Sequence, residues 1–291
     1  MLETLLSHIR IVLVEPAGPL NVGAVARVMK NMGLQQLVLV KPKCDSLGVE
    51  AQQMAVHAVD LLEAAQSVMT LPEALQGCQR AIATTARPRA LVTQLETPES
   101  GLPWLLPQGH EIDSLTCQSA LIFGPEERGL SNTELNYAQR FVRIPTASTY
   151  PSLNLAQAVS VCCYVLHCQA QMQLPQIVSS SVSASEPVQL SDQSDQTVSS
   201  GASQSTASLE ILERYYQHLE TVLLKIGYLH PHTAASRMEK FRRLFNRAFL
   251  SEPEVAMLRG ILRQVEWAIY GNKSVELPVI DPSFSSDQGS D

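Results

Sequence analysis

Apolar and polar positions run along this chain in blocks that read as strands followed by helices. Residues 9–14 (Ile-Arg-Ile-Val-Leu-Val) are β-branched and apolar, the pattern of a buried strand. A breaker-rich loop follows, Glu15-Pro16-Ala17-Gly18-Pro19-Leu20, and Asn21 stands as a helix N-cap. Val22, Val25, Ala26 and Met29 then recur at helical spacing as far as Asn31, and Gly33 is placed to end the helix. Residues 37–40 read as a second strand, ended by Lys41-Pro42, which closes a βαβ unit. Helix is expected over residues 49–66 and, capped by Thr70, over 72–76. Strands are expected over 80–85, 119–123 and 140–145, a short helix over 132–139, and loops with at most one short helix over 93–117. An almost wholly apolar helix, opened by Ser152 or Asn154, runs to about residue 171 and reads as buried.

The composition then changes. Residues 172–207 are rich in Ser, Gln and Val, contain no Lys or Arg, and read as a disordered linker. Helical spacing returns over 208–271 in three helices. The first ends at Gly227, the second covers Thr233 to Phe249, and the third is capped by Ser251 with Glu254 in capping-box position. Residues 272–291 are an acidic, Ser- and Pro-containing tail, expected to be disordered. The expected organisation is therefore an α/β domain over 1–171, a linker over 172–207, an all-helical extension over 208–271 and a tail over 272–291.

Composition narrows the chemistry. With 291 residues, 45% of them hydrophobic, the chain can bury a sizeable core. A net charge of −7 argues against a nonspecific coat for nucleic acid, although charge can still be local. The helical extension alone is net positive. Its second helix carries Arg237, Lys240, Arg242, Arg243 and Arg247 against Glu239, either a solvated surface or a face for phosphates. The six cysteines (Cys44, Cys78, Cys117, Cys162, Cys163 and Cys168) form no C-x-x-C pair and read as structural thiols in a reducing cytosol. The first residues lack the basic region of a signal peptide, and no apolar run reaches the roughly 18 residues of a membrane span, so a cytoplasmic protein with no membrane partner is expected. No metal site is visible, and the seven histidines form no cluster with a Ser or Cys nucleophile. A G-x-G-x-x-G turn is missing after the first strand, which speaks against a nicotinamide-dependent oxidoreductase.

Three motifs stand at strand-to-helix junctions: Asn21-x-Gly23-x-x-x-Arg27, then Phe123-Gly124-Pro125-Glu126-x-x-Gly129-Leu130-Ser131, then Pro151-Ser152-Leu153-Asn154-x-Ala156. Such junctions are where open α/β sheets place ligands. The set and its order resemble the SPOUT class of RNA methyltransferases, specifically the TrmH/TrmJ branch. The first strand, the Thr85-Ala86-Arg87 turn and the helical extension look most like the TrmJ-type tRNA (cytidine/uridine-2′-O-)-methyltransferases. The long Ser/Gln-rich linker departs from the family's usual short connection.

The resemblance implies a mostly parallel sheet with helices on both faces, a C-terminal trefoil knot and a homodimer. It also implies methylation of the ribose 2′-oxygen of tRNA, with no role for DNA, at nucleotide 32 of the anticodon loop and with S-adenosyl-L-methionine (AdoMet) as methyl donor. The alternatives are another tRNA or rRNA position, or an inactive RNA-binding protein of the same fold. Carried over residue by residue, the cofactor would lie against Thr84, Thr85, Ala86, Phe123, Gly124, Gly129, Ile144, Pro151, Ser152 and Leu153. Arg27, contributed across the dimer interface, matches the arginine of the first motif, Glu126 the acid of the second, and Ser152 and Asn154 the polar pair of the third, which makes these four the expected catalytic group. Asn21, Arg27, Arg237, Lys240, Arg242 and Arg243 are the expected contacts to RNA. Methyl transfer from a sulfonium is an in-line displacement. A protein arginine stays protonated, so Arg27 suits an electrostatic role toward the developing alkoxide rather than that of a base.

Overall fold

The computed structural model describes residues 2–86, 95–107, 117–183 and 206–271. A short helix α1 (Leu2–Leu6) leads into β1 (Ile9–Val14), α2 (Pro19–Asn31) and β2 (Gln36–Val40). Next come α3 (Val49–Ala55), a 3-10 turn (Val56–Ala58), α4 (Val59–Glu63), β3 (Gln66–Val68), α5 (Leu71–Ala74) and β4 (Cys78–Thr84). After α6 (Pro98–Gly101) and a second 3-10 turn (Leu102–Leu105) follow β5 (Gln118–Phe123), α7 (Asn132–Leu135), β6 (Arg140–Val142) and the long α8 (Leu155–Ser183). Helices α9 (Leu209–Lys225), α10 (Pro231–Ala248) and α11 (Glu252–Gly271) form the extension.

The six strands make one sheet in the order β3-β2-β1-β5-β4-β6, parallel at every pairing. Strand side chains alternate between two cores. Ile11, Leu13, Leu37, Leu39, Ile82, Leu121 and Phe123 pack with α1, α2, α3 and α8. Val12, Val14, Val38, Val40, Ala81, Ala83, Ala120 and Ile122 face Leu71, Leu75, Leu135 and, from the extension, Leu209. Coverage of both faces is what makes the central strands continuous apolar runs. Close packing also fixes Gly23, since a Cβ there would lie 2.2 Å from the carbonyl oxygen of Ala51, where α2 meets α3.

Five expectations need correction. Helix α2 starts at Pro19 with Gly18 at its N-cap, so Asn21, expected as the cap, lies within the first turn. The helix expected over 49–66 is broken at Val56, whose φ of 56° and ψ of −102° cannot continue a helix. The end of that span belongs to β3, an edge strand that shows no apolar pattern because Gln66 and Ser67 are exposed. The segments expected over 132–139 and 140–145 are shorter, ending at Leu135 and Val142. The helix continues past residue 171 to Ser183, into the span expected as a linker over 172–207; residues 184–205 of that span lie outside the described residues, as does the tail 272–291. In the extension, Ser208 caps α9 through the Ile211 N–H, and Glu254 accepts from the backbone N–H of Ser251, the reciprocal half of a capping box, and also from its hydroxyl.

Val56 holds a conformation natural only to glycine, and its side chain is 45% exposed, so little packing offsets the strain. Val56→Gly is expected to stabilise the fold by about 1 kcal/mol despite the added chain entropy. A rise of a few degrees in Tm checks this, and an unchanged or lower Tm contradicts it.

Candidate active site

The carboxyl ends of β4, β5 and β6 open into a cleft with about 890 Å³ of space, counting the part open to solvent. Its lining includes all ten residues expected at a cofactor: Thr84, Thr85 and Ala86 after β4, Phe123, Gly124 and Gly129 after β5, and Ile144, Pro151, Ser152 and Leu153 between β6 and α8. Pro125, Glu126, Glu127, Arg128, Leu130, Val142, Leu155 and Ala158 complete it. The motif glycines have a steric reason. A Cβ on Gly124 would lie 2.3 Å from the Leu130 nitrogen, and Gly129 sits at φ 66°, so the loop can fold back on itself only with glycine at both places. Ser131 closes that loop by capping α7 in a full capping box with Glu134.

Glu126 joins the three motifs. Its carboxylate accepts from the backbone N–H of Ala17 (3.2 Å) and Gly18 (3.4 Å) and from Asn21 Nδ2 (2.9 Å). Asn21 Oδ1 in turn accepts from Asn154 Nδ2 at 2.9 Å, and Asn154 Oδ1 caps α8 through the N–H groups of Ala156 and Gln157. Burial alone would raise the Glu126 pKa, but the hydrogen bonds from Asn21, Ala17 and Gly18 outweigh it and hold the carboxyl below the usual range. Glu126 is therefore an anchored anion that braces the loop before α2.

A second brace was not foreseen. Arg128 donates to Glu134 at 2.8 and 2.9 Å and pairs with Glu15 at 3.2 Å, while Lys43 pairs with Glu15 at 2.9 Å. Glu15 takes a left-handed backbone at φ 47° just past β1. The only sequence signal was Glu134, three residues after Ser131.

The remaining expected residues lie apart. Arg27 is exposed on α2, about 9 Å along the helix from Asn21 at 1.5 Å per residue. It does not line the cleft and has no hydrogen-bond or ion-pair partner among the described residues. Arg237 and Lys240 are exposed on α10; Arg237 donates to the Tyr228 carbonyl oxygen. Arg243 is half-buried beside Glu239 at 3.6 Å. Arg242, also expected at RNA, has a side chain only 15% exposed, paired with Glu213 and covered by the rings of Tyr137 and Tyr216.

A parallel sheet with a glycine-walled cleft at its strand ends defines an α/β enzyme that binds a small-molecule ligand there. Comparison with known proteins gives the family. The model of the SpoU rRNA Methylase family matches residues 8–164, and that of the tRNA methyltransferase TrmJ C-terminal domain matches residues 210–275. The tRNA (cytidine/uridine/adenosine-2′-O-)-methyltransferase TrmJ of Pseudomonas aeruginosa is 37% identical over 270 residues, covering 90% of this chain and 95% of that one. The tRNA (cytidine/uridine-2′-O-)-methyltransferase TrmJ of Escherichia coli K12 is 37% identical over 273 residues, covering 93% and 100%. The crystal structure of TrmJ from Z. mobilis ZM4 superposes with a TM-score of 0.69 at 28% identity, covering 88% of this chain and 98% of that one. The chain belongs to the SpoU methylase family of RNA methyltransferases, in its TrmJ branch.

Glu134 yields a pH prediction. Burial raises its pKa, but the Arg128 fork and the Ser131 N–H pull it down to about 2, from an ordinary 4.5. A depressed carboxylate stabilises the fold above its unfolded pKa and loses that contribution as pH falls through the folded value. Glu134→Gln should therefore cost about 1–2 kcal/mol at pH 7 after allowance for solvent screening. The difference from wild type should narrow steadily between pH 4.5 and 2. Urea unfolding at a series of pH values measures it; a difference that stays constant across that window removes the assignment.

Proposed function

We propose that this protein is a cytoplasmic, homodimeric AdoMet-dependent methyltransferase of the tRNA ribose 2′-oxygen, acting on the cytidine or uridine at nucleotide 32 of the anticodon loop. The observation that carries the reading is the convergence of Thr84–Ala86, the Phe123–Gly129 loop and Pro151–Leu153 on one cleft. The relatives named as tRNA 2′-O-methyltransferases supply the substrate class, and the P. aeruginosa relative's name adds adenosine to the bases.

The cleft suits an adenosine-bearing cofactor. Leu130, Val142, Ile144 and Leu153 offer apolar walls, and the tight glycine turn at Gly124 brings backbone close to a ligand. The approach from β6 to α8, residues 143–154, is where a trefoil knot would thread. When bound, the cofactor supplies a methyl group on a sulfonium. Ser152, exposed at the rim, orients the ribose hydroxyl, and Asn154 holds that rim through Asn21. Arg27 enters from the partner protomer and stabilises the alkoxide as the hydroxyl proton leaves toward a substrate phosphate. Its exposure and its lack of a partner among the described residues support that role. The exposed basic face of α10 receives the RNA backbone.

Methyl transfer from labelled AdoMet to tRNA tests the reading. Arg27→Ala should lower kcat about 100-fold or more, in the range of removing one transition-state donor, while the cofactor Kd stays within about twofold. Wild-type protein that binds AdoMet but methylates no RNA would instead be an inactive binding protein. Mapping of 2′-O-methylation in tRNA from a deletion strain decides the nucleotide.

A further inference from the structure

We infer that Arg242 is a positioning residue that bolts the helical extension to the turn between α7 and β6, and so sets where the basic face of α10 stands relative to the cleft. The inference rests on the RNA-binding role proposed above for that face.

Helix α10 has two sides. Arg237, Lys240 and Arg247 recur on its exposed side, and Met238, Arg242, Phe245 and Asn246 on the packed one. The Arg242 guanidinium lies 4.6 Å from the Tyr216 ring of α9 and 5.6 Å from the Tyr137 ring of the catalytic domain. It donates to both carboxylate oxygens of Glu213, at 2.5 and 2.8 Å. One turn on, Asn246 Oδ1 accepts from the Tyr216 hydroxyl at 2.7 Å, and Asn246 Nδ2 donates to the carbonyl oxygen of Ala138 at 3.5 Å. Past the end of α10, Phe249 takes a left-handed backbone at φ 48° and sets its ring 5.6 Å from Trp104, which lies under the Arg140 guanidinium.

These contacts grip one segment. Tyr137 and Ala138 lie between α7, which closes the Phe123–Gly129 wall, and β6, which leads to Val142 and Ile144 in the third wall. A cation held by a carboxylate and two rings, with little exposure, is tied to one geometry in a way that exposed Lys240 is not. A phosphate contact needs an accessible cation, and Arg242 is closed off on all these sides.

The test uses the full-length protein with Tyr137→Leu, Arg242→Gln, Arg242→Lys and the double variant Tyr137→Leu/Arg242→Gln, each checked for native circular dichroism. Tyr137→Leu alters only the catalytic side of the joint. It should nevertheless speed amide exchange in α10 at least fivefold and raise the KM for tRNA about tenfold, with kcat and the AdoMet Kd within twofold of wild type. Arg242→Gln should do the same, Arg242→Lys less, and the double variant no more than either single one. The inference is overturned if Arg242→Gln raises the tRNA KM while Tyr137→Leu changes neither exchange nor KM, because Arg242 would then act on RNA or within the extension alone. A wild-type protein that methylates no tRNA would refute the proposed function, and the exchange data would still decide the joint.

Discussion

The site depends on one carboxylate. Three junctions, more than a hundred residues apart from first to last, must meet at one cleft, and loops hold such positions poorly by themselves. Glu126 takes two backbone N–H groups at the start of α2 and the amide of Asn21, and Asn21 passes the linkage to Asn154 at the start of α8. An anion at a helix N-terminus also meets the favourable end of the helix dipole. Loss of the carboxylate would therefore remove at once the partner of two half-buried donors, on Gly18 and Asn21, and of the exposed Ala17 N–H, each costing less than the ~1–3 kcal/mol of a fully buried group. The acid of the second motif acts here by fixing the shape of the cleft.

A second constraint works beside it. Arg128, itself part of the cleft wall, is held by Glu134 on one side and Glu15 on the other. The wall loop is thus tied forward to α7 and sideways to the end of β1. Its glycines permit the tight path, and the ion pairs choose that path among those glycine would allow. This division between permissive backbone and selective charge explains why two flexible residues can sit in a site that has to be preorganised.

What the sequence could disclose follows from how local each signal is. Strands β1, β2, β4 and β5 were legible because both faces of the sheet are covered and the runs are nearly all apolar. Strand β3 was not, since an exposed edge imposes no pattern on Gln66 and Ser67. The break at Val56 was hidden for the opposite reason: a β-branched residue in an apolar helical spacing gives no hint of a positive φ. The cleft-lining residues were legible because each motif is a short strand-end turn with its own glycine or cap. The partners of Glu126 and Arg128 were not, because pairing across the sheet leaves no periodic trace. Arg242 is the intermediate case. Its contacts place it on the packed face of α10, whereas the basic composition of the helix alone pointed toward phosphates.

The charge inventory of the cleft bears on the proposed chemistry. Among the described residues that line it, Arg128 alone is basic, and two carboxylates already engage it. Glu126 and Glu127 add negative charge, favourable to a sulfonium but adverse to a developing alkoxide. On the proposed reaction, the stabilising cation then comes from outside these described lining residues. Arg27 stands exposed on α2, without a partner among the described residues and outside its own cleft. In the proposed dimer, a second copy that presents this helix to the cleft would complete the site. Under that arrangement dimerisation is a condition of the chemistry, whereas cofactor binding is a property of the single chain.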